Sequence, residues 1–138
     1  MLLFSLIARF LTRMLLALLF LFAGSVHLTA PALLLPLMPP CIPFPFFCII
    51  ASGVFELLGG IGLLMSDRRI LTLTGWSLTL LLLAVFPANI YMATNHIQIH
   101  GIPSEPWMAW ARLPLQAFLI LGVLWVTGIW PKAAQPRS

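Results

Sequence analysis

The sequence predicts an all-α integral membrane protein, a four-helix bundle with both termini on the cytoplasmic side. Three observations lead to this fold class: 62% of the 138 residues are hydrophobic, only 7% are charged, and the apolar residues fall into four long stretches. A soluble domain of this size usually has about a quarter of its residues charged, because its surface must face water. We therefore expect one transmembrane domain, residues 1–138, whose main partner is the lipid bilayer.

The four stretches lie at residues 14–30, 46–65, 70–92 and 111–130, and each is about long enough to cross a membrane. A hydrocarbon core of about 30 Å needs about 20 helical residues at about 1.5 Å per residue. The stretches are apolar on every side, as expected of helices that contact lipid. A β-barrel would instead need alternating segments of about ten residues, so the pattern favours helices.

The segments that flank the spans differ in composition. Residues 66–69 form a short polar connection, which predicts that the second and third spans are an antiparallel hairpin. Residues 31–45 hold six prolines and no charge, which predicts a re-entrant or interfacial loop packed on the bundle. Residues 1–7 are apolar and precede Arg9, so they either extend the first helix or lie along the membrane surface. The first span, with its basic start and small-residue end, also fits a cleavable signal peptide. Its removal would leave three spans and put the Arg68–Arg69 turn outside, against the usual distribution of basic residues.

The basic residues predict how the bundle is oriented. If the spans alternate in direction, six of the seven basic residues fall on one side, and Arg112 falls on the other. Cytoplasmic segments of membrane proteins carry an excess of Lys and Arg, so the side with six is predicted to be cytoplasmic. The charges are dispersed beside the spans, so no nucleic-acid partner is expected. The six residues are Arg9, Arg13, Arg68, Arg69, Lys132 and Arg137.

Glu56 is the polar residue whose position most needs an explanation, because it lies near the centre of the second span. An ionisable side chain costs about 2.5–3.5 kcal/mol at that depth, so it requires a packing or functional reason. Small residues share its helical face at spacings near three and four residues, and they let helices approach closely. We therefore predict that Glu56 points into the bundle rather than toward lipid. The small residues are Ser52, Gly53, Gly59 and Gly60.

Every span brings a polar side chain to the outer half of the predicted bundle, whereas Leu, Ile and Met dominate the inner halves. Arg112 and Gln116 share a helical face, and Arg112 is long enough to pair with Glu56. We predict a ligand-binding site in this half, although interhelical hydrogen bonds among the same residues would also serve packing alone. The predicted site residues are His27, Glu56, Asn89, Arg112 and Gln116.

Two further pairs of residues, two cysteines and two histidines, give weaker functional predictions. Cys41 and Cys48 fall on the outer side, where disulfides form, but their spacing favours a packed thiol or a simple disulfide over redox catalysis. His96 and His100 have a spacing that suits a metal on a helix, but no other ligand motif accompanies them, so a solvated loop is favoured. We therefore expect no metal site and identify no catalytic residue, while enzyme activity as such stays open.

Several motifs resemble those of DoxX-like membrane proteins, and they occur in the order expected of that family. The resemblance covers the chain from Leu15 to about Trp130. It implies a four-helix bundle in the bacterial inner (plasma) membrane. The family is named for subunits associated with a thiosulfate:quinone oxidoreductase, and some relatives are linked to redox-stress complexes. The motifs are Leu15–Gly24 with His27, Met38–Pro45, Ser52–Gly60, Phe86–Ala93 and Arg112–Gln116.

The polar cluster and the resemblance together lead us to expect an accessory subunit linked to membrane redox processes. Such a subunit would bind a small quinone-like molecule in the outer half of the bundle or dock a redox-enzyme partner. One alternative is a small proton-coupled transporter or exporter with Glu56 as its titrating group; the apolar inner halves would then require a homo-oligomer. The other alternative is a structural assembly scaffold without a ligand.

Overall fold

Long helices dominate the protein in the residues that the computed structural model describes, which are 1–99, 101 and 105–131. Within them, α1, α3, α4 and α5 are long and apolar enough to cross a membrane. The predicted all-α class and the four helices of membrane-spanning length and composition are therefore confirmed for the described residues. His100, Lys132 and Arg137 lie outside the described residues. The helices are α1 (Leu2–Thr29), α2 (Pro31–Leu34), α3 (Pro45–Leu64), α4 (Arg68–Thr94) and α5 (Pro106–Thr127), with a 3₁₀ helix at Leu35–Leu37.

The four long helices form a closed ring in which each contacts two neighbours. α1 packs on α3, α3 on α4, α4 on α5, and α5 returns to α1. Neighbours in the ring are antiparallel, so the start of α1 and the end of α5 lie together, where the Arg9 guanidinium packs beside Gly128. We call this the basic end of the bundle. It carries Arg9, Arg13, Arg68 and Arg69.

The core of the bundle is apolar and lies toward the basic end and the middle. Most other large apolar side chains point outward; Phe22 and Phe118, for example, are about 70% exposed. Such a surface is unfavourable in water but suits contact with acyl chains. The core side chains are Leu16, Ala17, Phe20, Leu63, Leu78, Leu82, Val123 and Val126.

The helix ends differ from the predicted spans where local capping decides them. α1 begins at Leu2, so the apolar residues before Arg9 extend the helix. α4 begins after Asp67, whose carboxylate accepts hydrogen bonds from the backbone N–H groups of Arg69 (2.9 Å) and Ile70 (3.0 Å). α5 ends at Thr127, and the next residue, Gly128, has a φ of 75°, the left-handed conformation that commonly terminates helices.

The proline-rich connector between α1 and α3 is structured and packs on the bundle, as predicted. It forms α2 and the 3₁₀ helix, which contact α3, while the 3₁₀ helix also contacts α4. Cys41 is exposed and Cys48 is partly buried, and both thiols are free. The Cys48 thiol donates to the carbonyl oxygen of Pro43 at 3.6 Å, so it is a local packing contact.

Prolines interrupt the backbone hydrogen bonding of α4 and α5. Pro87 lies inside α4 and Pro114 inside α5, and each removes one backbone donor from its helix. A Cβ atom on Gly75 of α4 would meet Thr127 of α5, which fixes how the two antiparallel helices are aligned. Counting from this contact places the two prolines at about the same depth in the bundle.

Candidate functional site

α1 and α3 approach each other so closely that their backbones touch at two glycines. A Cβ atom on Gly24 would lie 2.7 Å from the carbonyl oxygen of Gly53, and one on Gly53 would lie 2.7 Å from His27 Cβ. Farther along the same interface, a Cβ atom on Gly60 would lie 2.7 Å from Leu21 Cγ. Only glycine fits at these positions, and the close approach seats His27 directly against α3.

The close approach brings His27 and Glu56 together. His27 Nδ1 lies 2.7 Å from Glu56 Oε2, which is the only ion-pair contact among the described residues. The side chains are 23% and 11% exposed, respectively, so the carboxylate is buried while part of the imidazole reaches the bundle surface. Glu56 therefore faces the bundle interior, as the small residues on its helix predicted.

Ser52 completes this group, and its hydrogen bonds indicate which imidazole nitrogen carries a proton. The Ser52 hydroxyl donates to the carbonyl oxygen of Ile49 at 2.8 Å and also lies 3.2 Å from His27 Nδ1. A hydroxyl has one proton to donate, so Nδ1 must be the donor in the second contact. The Nδ1–H is thus directed at Ser52 and lies close to Glu56 as well.

Glu56 Oε2 is consequently a buried acceptor that is not fully used. It accepts no hydrogen bond of favourable angle from a described residue, even though His27 Nδ1 is within bonding distance. The distance of 2.7 Å is short enough for a hydrogen bond. The bond angle is unfavourable, because the Nδ1–H points toward Ser52. Buried oxygens are normally satisfied, and an exception of this kind is a place where a ligand hydroxyl or amine can donate.

The predicted ion pair between Arg112 and Glu56 is wrong, because Glu56 faces His27 instead. The Arg112 guanidinium donates to Met92 Sδ at 3.4 Å. It also lines a small cavity of about 40 Å³ near the connection between α4 and α5, together with His96 and Glu105. Arg112 therefore belongs to the end of the bundle rather than to its buried carboxylate.

The alignment of the helices explains why Arg112 does not reach Glu56. Gly59 of α3 faces Leu78 of α4, and α4 in turn is aligned on α5 by the contact described above. Counting along the helices from these contacts places Arg112 about ten residues from the level of Glu56, or about 15 Å along the bundle. The carboxylate and guanidinium would have to span this separation, whereas His27 lies on the helix that touches α3.

Asn89 and Gln116 form a second polar group, between α4 and α5. The Asn89 amide Nδ2 donates to Gln116 Oε1 at 2.7 Å, and Gln116 Nε2 donates to the carbonyl oxygen of Leu82. Leu82 precedes Leu83, whose carbonyl loses its usual helical donor at Pro87. Gln116, which is 3% exposed, thus supplies hydrogen bonds to a stretch of α4 that the proline has disturbed.

The five predicted site residues therefore belong to three separate contact groups. His27 and Glu56 are together, Asn89 and Gln116 are together, and Arg112 contacts Met92. Sequence reasoning counted Ser52 only as a small residue and missed its bond to His27; its position four residues before Glu56 was the available signal. No group of three metal-ligating side chains occurs in the described part of the chain.

Comparison with known proteins gives a family but no activity. The model of a family described as "Domain of unknown function (DUF8561)" matches residues 16–127, from the middle of α1 to the last residue of α5. No curated protein and no solved structure matches the chain. Because the matched segment holds every residue of the three contact groups and spans most of the chain, the protein belongs to the DUF8561 family.

Proposed function

We propose that the protein is a membrane-embedded accessory subunit that binds a small amphipathic, quinone-like molecule through His27, Ser52 and Glu56. The observation that carries this proposal is the buried Glu56 oxygen, which lies 2.7 Å from His27 Nδ1 and accepts no well-directed hydrogen bond. A ligand hydroxyl that donates to this oxygen would satisfy it. A membrane-soluble quinol carries such a hydroxyl on an apolar ring.

The surroundings of the polar group favour a ligand that arrives from the membrane. His27 is partly exposed at the bundle surface, whereas Glu56 lies behind it. Large apolar side chains cover much of the outward-facing surface of α1 and α3, including Phe22 and Phe55. A molecule with a polar head and an apolar body fits this arrangement. Its head would reach the buried acceptor, while its apolar part would stay in the lipid.

The cellular setting is also part of the proposal. The basic end, with four arginines, is the cytoplasmic end, so both termini are cytoplasmic and the His27–Glu56 group lies toward the outer leaflet. The resemblance to DoxX-like proteins supports a bacterial inner-membrane location and a link to redox complexes. In this arrangement Asn89 and Gln116 join α4 to α5, and Arg112 lies at the periplasm-facing surface of the inner membrane.

The test measures binding of a short-chain ubiquinol to detergent-solubilised protein by native mass spectrometry. We expect the wild type to retain the quinol, and we expect Glu56→Leu to weaken retention about tenfold or more, because it removes the acceptor. Arg112→Leu is the matched control, since it also replaces an ionisable residue by leucine but lies outside the group. It should retain the quinol as the wild type does.

Two other measurements on the same variants separate the alternatives. A proton-coupled transporter would show solute uptake into liposomes driven by a pH gradient and abolished by Glu56→Leu. A scaffold would show no quinol retention in the wild type, with the substitutions changing only the thermal stability. Equal quinol retention by the wild type and by Glu56→Leu would overturn the proposed site.

A further inference from the structure

A second cavity lies at the basic end of the bundle, away from the His27–Glu56 group. It has a volume of about 380 Å³ and lies between the first turns of α1, the α3–α4 turn and the end of α5. A water molecule occupies about 30 Å³ of liquid, so the space admits a group much larger than a single water. Three arginines line it: Arg9, Arg13 and Arg68.

These arginines are not neutralised by the acidic side chains that the structure describes. The ion-pair contact in the described residues is between His27 and Glu56, which uses neither Asp67 nor Glu105. Asp67, the carboxylate nearest in sequence, is engaged in capping α4. Three positive charges around one cavity without a carboxylate partner favour an anion from outside the described chain.

Arg13 and Arg9 are held in positions that face this space. They are four residues apart on α1 and therefore lie on one face of the helix. The Arg9 guanidinium packs beside Gly128 at the end of α5, where the helix dipole favours a positive charge. The Nε atom of Arg13 is buried and has no hydrogen-bond partner among the described residues. No carboxylate of the described chain pairs with Arg13, and an oxyanion bound in the cavity would supply the missing counter-charge.

The walls of the cavity identify the chemical class of that anion. The apolar side chains of Leu6, Phe10, Leu71 and Val126 line the cavity beside the arginines, and Ser66 and Thr127 add two residues with hydroxyl groups. Arg forms paired hydrogen bonds with phosphate oxygens because its planar fork matches them. A simple charge excess would explain arginines near a cytoplasmic surface, but not their convergence on one space with an apolar wall.

We propose that the cavity lined by Arg9, Arg13 and Arg68 binds a phosphate-bearing anion, with the headgroup of an anionic phospholipid as the occupant that its apolar wall favours. Basic pockets at the cytoplasmic side of membrane helices have the charge that such headgroups require. This inference does not depend on the proposed quinone-like ligand, because the two sites share no lining residue.

The experiment compares three probes on full-length protein in detergent: phosphatidylglycerol, phosphatidylcholine and inorganic phosphate. Native mass spectrometry counts retained lipids, and thermal unfolding reports on phosphate. We expect phosphatidylglycerol to be retained in preference to phosphatidylcholine, and we expect Arg13→Gln and Arg68→Gln each to weaken it about tenfold. Arg69→Gln is the matched control, because it removes a neighbouring charge that does not line the cavity.

A charge-conserving variant keeps the test informative if Arg13→Gln folds poorly. Arg13→Lys keeps the positive charge that orients the protein in the membrane, but it loses the two parallel N–H donors of the guanidinium. It should therefore also weaken phosphatidylglycerol retention relative to Arg69→Gln. Stabilisation by inorganic phosphate that Arg13→Lys abolishes would assign the site to a free phosphate. Equal retention of both lipids in all variants, with no effect of phosphate, would overturn the proposal.

Discussion

At the scale of single residues, Gly53 decides how the candidate site is built. Its missing side chain lets the His27 Cβ atom and the Gly24 carbonyl oxygen occupy the space next to α3. The same contact determines where the His27 ring points and therefore which carboxylate it meets. Glu56 supplies the chemistry of the site, but glycine at position 53 supplies the geometry that makes the pair possible.

Gly53→Ala should destabilise the protein by about 1–3 kcal/mol, because the added Cβ would overpack the α1–α3 interface. His27 should also move away from Glu56, so quinol retention should fall in parallel. Gly122→Ala is the control: its Cβ would meet only Leu16 Cδ1 at 3.5 Å, an ordinary contact. That change should be neutral or stabilise by up to about 1 kcal/mol. Thermal unfolding in detergent measures both, and equal stability of the two variants would contradict the prediction.

At the scale of helices, α4 and α5 are joined differently from α1 and α3. The α1–α3 interface combines close backbone contact at glycines with the polar contacts of His27, whereas α4 and α5 are joined by the hydrogen bond between the Asn89 and Gln116 amides. Polar side chains in a membrane find few other partners, so such a bond helps to fix which helices pair. We interpret Asn89 and Gln116 as the residues that hold this helix pair in alignment.

A double-mutant cycle tests that interpretation. Asn89→Leu and Gln116→Leu should show a coupling free energy of about 0.6–1.7 kcal/mol in unfolding from detergent or bicelles, since each single change removes the same bond. The comparison cycle pairs Gln116→Leu with Thr94→Ala, because the Thr94 hydroxyl bonds to the Ile90 and Tyr91 carbonyl oxygens and to the Asn95 amide, all at the end of its own helix. The second cycle should be additive. A coupling of zero in both cycles would mean that the α4–α5 bond contributes nothing.

The helices could be predicted from sequence much better than the contacts between their side chains. Each span is encoded by its own run of apolar residues, and the burial of Glu56 followed from small residues on one helix face. The partner of Glu56 depended instead on how α1, α4 and α5 are aligned on α3, which no single segment encodes. Arg112 has the charge needed to pair with Glu56, but it lies about 15 Å from the level of Glu56 along the bundle axis.

At the scale of the whole molecule, charge and apolar surface divide the bundle into regions. The basic end holds Arg9, Arg13, Arg68 and Arg69, and the sides are covered by exposed Leu, Phe and Ile. Cys41 is exposed in the connector at the opposite end, while Ser66 is exposed in the turn at the basic end. These two positions therefore report on the two sides of the membrane.

Labelling with a membrane-impermeant maleimide should show which side each end occupies. In a Cys48→Ser background, Cys41 should react in intact spheroplasts. In a variant that carries Cys41→Ser, Cys48→Ser and Ser66→Cys, the new thiol should react only after the membrane is opened, because excess Arg marks the cytoplasmic side. The reverse pattern would place the basic end outside and would contradict the proposed orientation.

The shared depth of Pro87 and Pro114 has a mechanical consequence. Helices bend most readily where a backbone hydrogen bond is missing, and here two adjacent helices have that weakness at one level. A bend in α4 at this level would act together with one in α5, so the segments between the prolines and the α4–α5 connection would move as a unit while the glycine-packed α1 and α3 stay in place. The hydrogen bond between Asn89 and Gln116 joins the two helices close to this level and would resist such a bend.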